Sequence, residues 1–174
     1  DTIYPLISYG VKTANDSSNF SRNWIYVNVS TNETNTNTIT FSLWNDTDPV
    51  NTTTFSMTNY KSNNTINWTN LPTDGRFYYY QVNITDKANN KNSTSVNHIT
   101  LDTTPPAITI ISPLNTTFYT EDIINFSVSV LDNIVNPAVC QFHYDNDFSN
   151  YTMVKYNETN FDYNNFYIGY NIIF

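Results

Sequence analysis

The sequence contains a single cysteine, Cys140, among its 174 residues. One cysteine excludes a disulfide within the chain and a metal site built from several thiolates. Basic residues are also scarce, with seven Lys and Arg against fifteen Asp and Glu, which gives a formal net charge of −8 at pH 7. Because a negative chain disfavours binding to nucleic acid and to anionic membrane surfaces, we expect neither partner.

Several signals of chemistry and of membrane insertion are missing. The longest apolar run is far shorter than the roughly 18 residues that a membrane helix needs, so we expect no membrane span in this segment. The sequence has no Gly-rich phosphate loop and no Ser, His and acidic residues in a catalytic order. The two histidines, His98 and His143, are isolated and fall on outward strand positions. We therefore expect no enzyme activity and no cofactor of the catalytic kind.

Polar and aromatic residues dominate the composition instead. Asn, Thr and Ser make up about 40% of the chain, and aromatic residues make up 16%. The apolar residues alternate with polar ones at a period of two, which is typical of half-buried strands, and no amphipathic helix is present. The pattern predicts strands near 5–10, 23–30, 38–44, 52–57, 65–69, 77–85, 94–101, 106–112, 123–131, 138–144, 151–156 and 166–171. Short strands at this density predict an all-β fold of two-sheet antiparallel sandwiches.

The same alternation predicts which side chains point into the core. The inward set is Ile25, Val27, Val29, Ile39, Phe41, Leu43, Ile66, Trp68, Tyr78, Tyr80, Val82, Ile84, Cys140, Phe142 and Tyr144.

The sequence repeats itself without a gap at an offset of 101 residues. Val27 matches Val128, and Phe41 matches Phe142. A repeat of this length predicts tandem domains, at 1–101 and 102–174. By the same offset the second domain lacks the counterparts of the strands at 77–85 and 94–101. Those strands belong either to a longer chain or to a neighbouring subunit that donates them.

Two segments carry a family resemblance. One is Leu101-Asp102-Thr103-Thr104-Pro105-Pro106 with the strand Ala107–Pro113, and the other runs from Leu71-Pro72-Thr73-Asp74-Gly75 through the Tyr78–Ile84 row to Asn90. Together they resemble the immunoglobulin-like repeats of bacterial and archaeal cell-surface proteins. In that family a Gly usually stands at the position of Asn89, and because Asn tolerates positive φ we expect the turn to survive. One extra residue between Gly75 and Tyr78 predicts a β-bulge.

The resemblance covers nearly the whole chain. It implies tandem immunoglobulin-like antiparallel β-sandwiches, with the second incomplete within this chain. It also implies an extracellular component of an adhesin, stalk, surface layer or filament, and no catalysis. We therefore expect a structural or adhesive module of a secreted microbial surface protein, which associates with itself or with neighbouring surface subunits.

Acceptor motifs for N-glycosylation, Asn-x-Ser/Thr, occur about twice as often as the composition predicts. Those that lie in predicted strands take outward positions, as a glycan requires, although any polar residue favours that face. We expect N-linked glycans at some of these sites. The acceptor residues are Asn15, Asn19, Asn28, Asn32, Asn45, Asn51, Asn63, Asn67, Asn83, Asn92, Asn115, Asn125, Asn150 and Asn157.

Acidic residues in predicted loops raise the question of calcium. Two carboxylates separated by one residue, as in Asp46 and Asp48, resemble half of a calcium loop. In a sandwich such a loop could meet the linker and the next domain. The competing interpretation, which we favour, is that Asp and Asn build turns. The candidate ligands are Asp46, Asp48, Asp74, Asp102 and Asp132.

Three large aromatic side chains take outward positions, namely Trp24, Tyr26 and Tyr79. Exposed rings of this size are typical of contact surfaces. They favour either packing against a neighbouring subunit or stacking on a sugar, and the second option makes a carbohydrate-binding module the alternative function. Cover by neighbouring side chains or by glycans is the third interpretation.

Overall fold

The computed structural model describes residues 2–57, 64–114, 123–134, 139–143, 150–155 and 159–167. The chain divides into two compact units, Asp1–Thr103 and Thr104–Phe174. The division lies two residues after the boundary that the sequence repeat predicts, at 101/102. The described residues form strands and turns, without a helix.

The first unit consists of two sheets. The smaller sheet has the order β1 (Leu6–Tyr9), β3 (Ile25–Asn32) and β6 (Thr65–Trp68). The larger sheet has the order β2 (Ser18–Phe20), β9 (Asn97–Asp102), β7 (Asp74–Asp86), β4 (Thr36–Asn45) and β5 (Pro49–Ser56), and β8 (Lys91–Ser93) also pairs with β7. All neighbours are antiparallel except β2 and β9, which are parallel. The pairing of β1 with β3, of β4 with β7 and of β7 with β9 is that of an immunoglobulin-like sandwich.

The core of the first unit lies between these sheets, where the alternation places it. Phe41, Tyr80, Val82 and Ile84 are fully buried, and so is the Ile25 side chain on the facing sheet. Ile66 is half-buried, and the other predicted inward residues of this unit are buried, so the prediction is confirmed. Each aliphatic or aromatic side chain of this kind stabilises the fold by roughly 1.5–3 kcal/mol when it leaves water.

Tyrosine hydroxyls tie the sheets to the loops that precede β2 and β9. The Tyr80 hydroxyl donates to the Ala14 carbonyl at 2.8 Å, and Asn97 Nδ2 lies 3.4 Å from both oxygens. Tyr9 packs edge-on against Tyr80, with ring centroids 5.6 Å apart, and its hydroxyl donates to the Ser95 carbonyl at 2.8 Å. Burial raises the pKa of Tyr9 to about 12. These phenols therefore act as neutral donors inside the fold.

The turn after β7 is built around a buried carboxylate. Asp86 accepts hydrogen bonds from the backbone and the side chain of Asn90, both at 2.8 Å. Asn89 adopts a φ of 69°, so the turn survives with Asn in place of the usual Gly, as expected. Burial alone raises the pKa of Asp86, but the hydrogen bonds from Asn90 and from the Ala88 backbone outweigh it, and the net pKa lies below its usual range.

The predicted bulge is also confirmed. The register between β7 and β9 shifts between Asp74 and Arg76, and Gly75 adopts a φ of 82°. A glycine takes this left-handed conformation without the steric cost of a Cβ. After the bulge Tyr78 faces inward, and its hydroxyl donates to the Pro72 carbonyl at 3.0 Å.

The second unit repeats part of the strand order of the first. Its larger sheet has the order β10 (Ala107–Ser112), β11 (Ile123–Leu131), β15 (Asn160–Tyr167) and β14 (Val154–Lys155), and β12 (Gln141–His143) pairs with β13 (Asn150–Thr152). Phe126 of β11 stacks on Phe142 of β12 with centroids 4.1 Å apart, so these two sheets face each other. Val130, Met153 and Phe161 are buried beside them. Tyr144, the remaining predicted inward residue, lies outside the described residues.

Two kinds of strand differ from the sequence prediction. The last strand begins at Asn160 rather than near residue 166, and residues 168–171 lie outside the described part. β2 and β8 were not predicted because runs of three residues carry no measurable alternation, and the strand predicted at 151–156 is divided into β13 and β14. The amide of Ser17 donates to the His98 carbonyl at 2.8 Å, and the amide of His98 donates to Asp16 Oδ1 at 2.7 Å. These long-range hydrogen bonds hold β2 against β9, and the local sequence does not encode them.

The Tyr80 hydroxyl provides a direct test of the buried network. We expect Tyr80→Phe to destabilise the first unit by about 1–3 kcal/mol, because the buried Ala14 carbonyl loses its short hydrogen bond. Thermal unfolding followed by circular dichroism measures the change. Tyr79→Phe is the matched control, since the Tyr79 hydroxyl donates to the exposed Asp46 carboxylate, and we expect its effect to stay within about 0.5 kcal/mol. Equal effects of the two variants would contradict this account of the network.

Asp86 gives the first unit a pH-dependent stability. Its folded pKa is depressed, so its contribution is complete above the unfolded pKa and is lost as pH falls through the folded value. We expect Asp86→Asn to lower the melting temperature at pH 7 and to lower it much less near pH 2. The exposed loop variant Asp48→Asn serves as the control. A destabilisation by Asp86→Asn that is the same at both pH values disproves the assignment.

Candidate functional site

The three outward aromatic residues do not form one surface. Tyr26 lies on the outer face of β3 and Trp24 directly precedes that strand, whereas Tyr79 lies on the outer face of β7 in the other sheet. Trp24 is 38% exposed, and Tyr26 and Tyr79 are half-buried. Because the outer faces of two packed sheets point in opposite directions, the first unit has two separate candidate surfaces.

The first surface is a shallow groove on β3 and β6, which we call the β3–β6 groove. Its lining residues are Lys12, Trp24, Tyr26, Asn67 and Thr69. Tyr26 and Asn67 are direct partners in the pairing of the two strands. Direct partners on one face have Cβ atoms about 4.5–5.5 Å apart, so the amide of Asn67 and the Tyr26 ring lie side by side.

A loop anchored on Asn28 forms one wall of this groove. The Thr13 hydroxyl donates to the Asn28 carbonyl at 2.8 Å, and Asn28 Nδ2 donates to the Val11 carbonyl at 3.2 Å. The amide of Gly10 donates to the same Asn28 carbonyl at 2.8 Å. These bonds hold Lys12 in the left-handed region, with a φ of 70°. A non-glycine residue persists there only when its surroundings determine its conformation, so the wall of the groove is preformed.

Arg22 packs against one face of the Trp24 ring. Its guanidinium carbon lies 3.9 Å from the centre of the Trp24 ring and 3.9 Å from the centre of the Phe20 ring. Burial lowers the pKa of this guanidinium. Cation–π contact on one face holds the Trp24 ring in place, while the exposed part of the ring remains available to a further contact. The sequence did not reveal the roles of Lys12 and Arg22, because both depend on how loops meet the sheet.

The second surface is an aromatic row that crosses three strands of the larger sheet. Trp44 pairs with Tyr79, and Tyr79 pairs with His98. The rings of Trp44 and Tyr79 are stacked with centroids 6.1 Å apart, and those of Tyr79 and His98 are 6.0 Å apart. Trp44 was missed as a candidate, although it follows the inward residue Leu43 and alternation therefore places it outward.

Polar contacts fix two of the three members of this row, Tyr79 and His98. His98 Nδ1 lies 3.0 Å from Asp16 Oδ1, and the hydrogen bond from the His98 amide lowers the pKa of Asp16. The Tyr79 hydroxyl donates to Asp46 at 3.0 Å, which raises the pKa of that hydroxyl.

The acceptor asparagines fall into two groups according to what their side chains do. Asn28 and Asn92 use the nitrogen that would carry a glycan, Nδ2, to donate to the carbonyls of Val11 and Pro5 at 3.2 and 2.9 Å. Asn45 is half-buried, and its Oδ1 accepts from the Asp48 amide at 2.8 Å. The exposed acceptors are Asn15, Asn19, Asn32, Asn51, Asn67, Asn83, Asn125 and Asn150. Asn63, Asn115 and Asn157 lie outside the described residues.

The calcium candidates do not assemble into one site in the described part of the chain. Asp74 and Asp102 are partners at the end of the β7–β9 pairing, and Arg76 Nε binds the Asp74 carboxylate at 3.1 Å. Asp46 and Asp48 lie in the turn between β4 and β5, and Asp132 belongs to the second unit. Nowhere in the described residues do three or more His, Cys, Asp or Glu side chains lie together as a metal site.

Cys140 and His143, the remaining residues with reactive side chains, have surroundings that are typical of structural residues. Cys140 is half-buried against Val130, Met153 and Phe161, and burial raises the pKa of its thiol. A raised pKa disfavours the reactive thiolate. His143 is exposed at the end of β12. Among the described residues, no helix has the length and apolarity to cross a membrane.

Neither the family models nor the curated proteins include a match to this sequence. Among solved structures, the chain is similar to the fibronectin(III)-like modules of Clostridium thermocellum CbhA, at 8% identity and a TM-score of 0.40, over 91% of this chain and 78% of that chain. It is also similar to the beta-glucuronidase of Parabacteroides merdae, at 11% identity and a TM-score of 0.36, over 92% of this chain and 22% of that chain. Likeness at this level carries no functional argument, and the immunoglobulin-like fold follows from the strand pairing of the chain itself.

Proposed function

We propose that this chain is a structural or adhesive segment of a secreted microbial surface protein, such as a stalk, a surface layer or an extracellular filament. Its work is mechanical, because folded sandwiches in series hold another part of an assembly at a distance. We propose no catalytic activity and no cofactor, and the polar surface carries N-linked glycans. The resemblance to immunoglobulin-like surface repeats supports this proposal.

The observation that carries the proposal is the repetition of one strand order in both units. The order β1-β3-β6 corresponds to β10-β11-β15, and the pair β4-β5 corresponds to β12-β13. Each unit has its own buried cluster, around Tyr80 in the first and Phe161 in the second. Arrays of modules with separate cores are suited to reach and assembly, since each module holds its shape without its neighbour.

The segment between the units supports the mechanical role. Residues 103–106 lie between β9 and β10 and include Pro105 and Pro106. The ring of proline fixes φ near −65°, which limits the conformations of such a connection. The amide of Thr103 donates to the Thr73 carbonyl at 3.3 Å, so the first unit holds the start of the segment.

A variant of this proposal makes the chain a filament subunit. The counterpart of β12 in the first unit is β4, which lies inside a larger sheet between β5 and β7. Strands from a continuing chain or from a neighbouring subunit can extend the sheet of β12 and β13 in the same way. Self-association through a donated strand would then be the mechanism of assembly.

The second candidate function is carbohydrate binding. The β3–β6 groove favours it, because Trp24 and Tyr26 present aromatic surface beside polar groups, which is the composition of a ligand site. The row of Trp44, Tyr79 and His98 is the other surface that a saccharide could contact.

Protease treatment of intact cells tests the proposed function. We expect fragments of this chain to be released while the membrane stays closed, and their mass spectra to show glycans at exposed acceptors such as Asn67 and Asn83. We expect Asn28 and Asn92 to stay bare where modification follows folding, because their Nδ2 atoms donate hydrogen bonds within the fold.

Two results decide between the parts of this proposal. Release only after the cells are lysed contradicts surface exposure, for which a cytoplasmic protein measured in parallel is the control. Released fragments without any sugar contradict the glycoprotein part and leave the structural role in place.

A glycan array with the purified chain tests carbohydrate binding. If the β3–β6 groove binds a saccharide, Trp24→Ala abolishes the signal and Tyr79→Ala preserves it. The reverse pattern assigns binding to the row on the larger sheet. The absence of a signal from the parent chain removes this candidate.

A further inference from the structure

The β3–β6 groove presents an aromatic surface that the other residues of the first unit leave partly exposed. Trp24 is 38% exposed, although one face of its ring is held by Arg22. The groove also holds a glycan acceptor, since both Asn67 and the Thr69 of the same acceptor motif line it. An exposed aromatic surface and an attachment point for a sugar therefore occupy one site.

We propose that a glycan on Asn67 folds back into the β3–β6 groove, where its first sugars cover Tyr26 and Trp24. This inference rests on the proposed function, because it needs a glycosylated chain. The occupant of the groove is then a covalent part of the protein, neither a free saccharide nor a second copy of the chain.

The pairing of β3 with β6 places the attachment point of the glycan beside an aromatic ring of the groove. Asn67 and Tyr26 are direct partners on β6 and β3, and Asn67 is exposed. Trp24 lies two residues before Tyr26 and lines the same groove. A sugar attached to Asn67 Nδ2 begins beside the Tyr26 ring and reaches Trp24 with its next unit.

A second acceptor on this face, Asn28, is already used within the fold. Asn28 lies on the same face of β3, but its Nδ2 donates to the Val11 carbonyl and its backbone holds Thr13. These bonds fix the loop that carries Lys12. Asn28 thus builds the wall of the groove, and Asn67 provides the attachment point.

The chemistry of the groove suits a sugar. One face of a pyranose ring is a surface of C–H groups, which packs against the negative face of an aromatic ring. The ammonium of Lys12, held at the rim, provides three donors for the hydroxyl oxygens. The contact can be weak, because attachment at Asn67 makes it intramolecular and replaces the concentration of a free ligand with an effective one of about a millimolar or more.

The modification itself needs a co-reactant from the cell. A phosphate-activated glycosyl donor transfers its sugar to Asn67, so that a bond forms between Nδ2 and the sugar C1 atom. The bond from C1 to the phosphate oxygen breaks, and its electron pair leaves with the phosphate. The amide gives up one proton to the base of the transferase, and no oxidant or reductant takes part.

A double-mutant cycle on the chain produced in its own host tests the inference. The variants are Asn67→Gln, Trp24→Ala and the pair, with Thr69→Ala as a second way to prevent modification while keeping Asn67. Asn83→Gln is the matched control, because Asn83 is an exposed strand acceptor whose partners are Thr40 and Ser93 rather than aromatic residues. Mass spectrometry reports occupancy, and thermal unfolding reports stability.

We expect Asn67→Gln and Thr69→Ala to lower the melting temperature equally, by about 4 °C, and to increase the quenching of tryptophan fluorescence by acrylamide, an increase that is absent in the Trp24→Ala background. Trp24→Ala should remove the effect of Asn67→Gln, since the two groups are in contact, whereas Asn83→Gln and Trp24→Ala should be additive.

The opposite results separate this inference from the proposed function. An Asn67 without sugar in a chain whose other acceptors are occupied overturns the inference alone. Additive effects of Asn67→Gln and Trp24→Ala overturn it as well, and so does a Trp24→Ala variant that changes oligomeric state with or without the glycan, because a second copy then covers the groove. A chain without sugar at any acceptor removes both the inference and the glycoprotein part of the proposed function.

Discussion

The burial of one row of side chains on β7 is the constraint from which the rest of the first unit follows. Tyr78, Tyr80, Val82 and Ile84 occupy alternate positions on the longest strand and are withdrawn from water between two sheets. Because the side-chain period of a strand is two, fixing this row inward fixes Tyr79 and Asn83 outward. The tyrosines constrain the fold further, because each buried hydroxyl requires a hydrogen-bond partner. The partner of the Tyr80 hydroxyl is the Ala14 carbonyl, in the loop between β1 and β2.

Asparagine takes roles in this chain that other proteins give to glycine and to charged residues. With three glycines in the sequence, turns that require a positive φ use Asn70 and Asn89, at 57° and 69°. Asn90 supplies the hydrogen bonds that keep the buried Asp86 ionised. The same residue type also forms the proposed glycan acceptors. The Nδ2 atom of Asn28 already donates to the Val11 carbonyl, so this side chain has a structural role in the fold.

Much of the fold could be predicted because alternation is a local signal. The inward rows around Phe41 and Tyr80 were read from single strands, and the extra residue after Gly75 indicated the bulge. The strand β2 could not be predicted, because its pairing with β9 joins residues about 80 positions apart through backbone hydrogen bonds. The candidate site shows the same division. Trp24 and Tyr26 were visible as outward aromatics, whereas the places of Lys12 and Arg22 beside them depend on loops that fold over the sheet.

The sequence by itself determined the β-sandwich architecture, the repeat of a similar unit and the inward or outward side of residues in the predicted strands, because these depend on period and composition. Only the tertiary structure decided which outward residues meet. Trp24 and Tyr26 lie on one sheet and Tyr79 on the other, and Asn67 rather than Asn28 has its amide exposed beside an aromatic ring. The physical reason is that neighbours across strands are set by register and loop anchoring, which arise from contacts between residues distant in sequence.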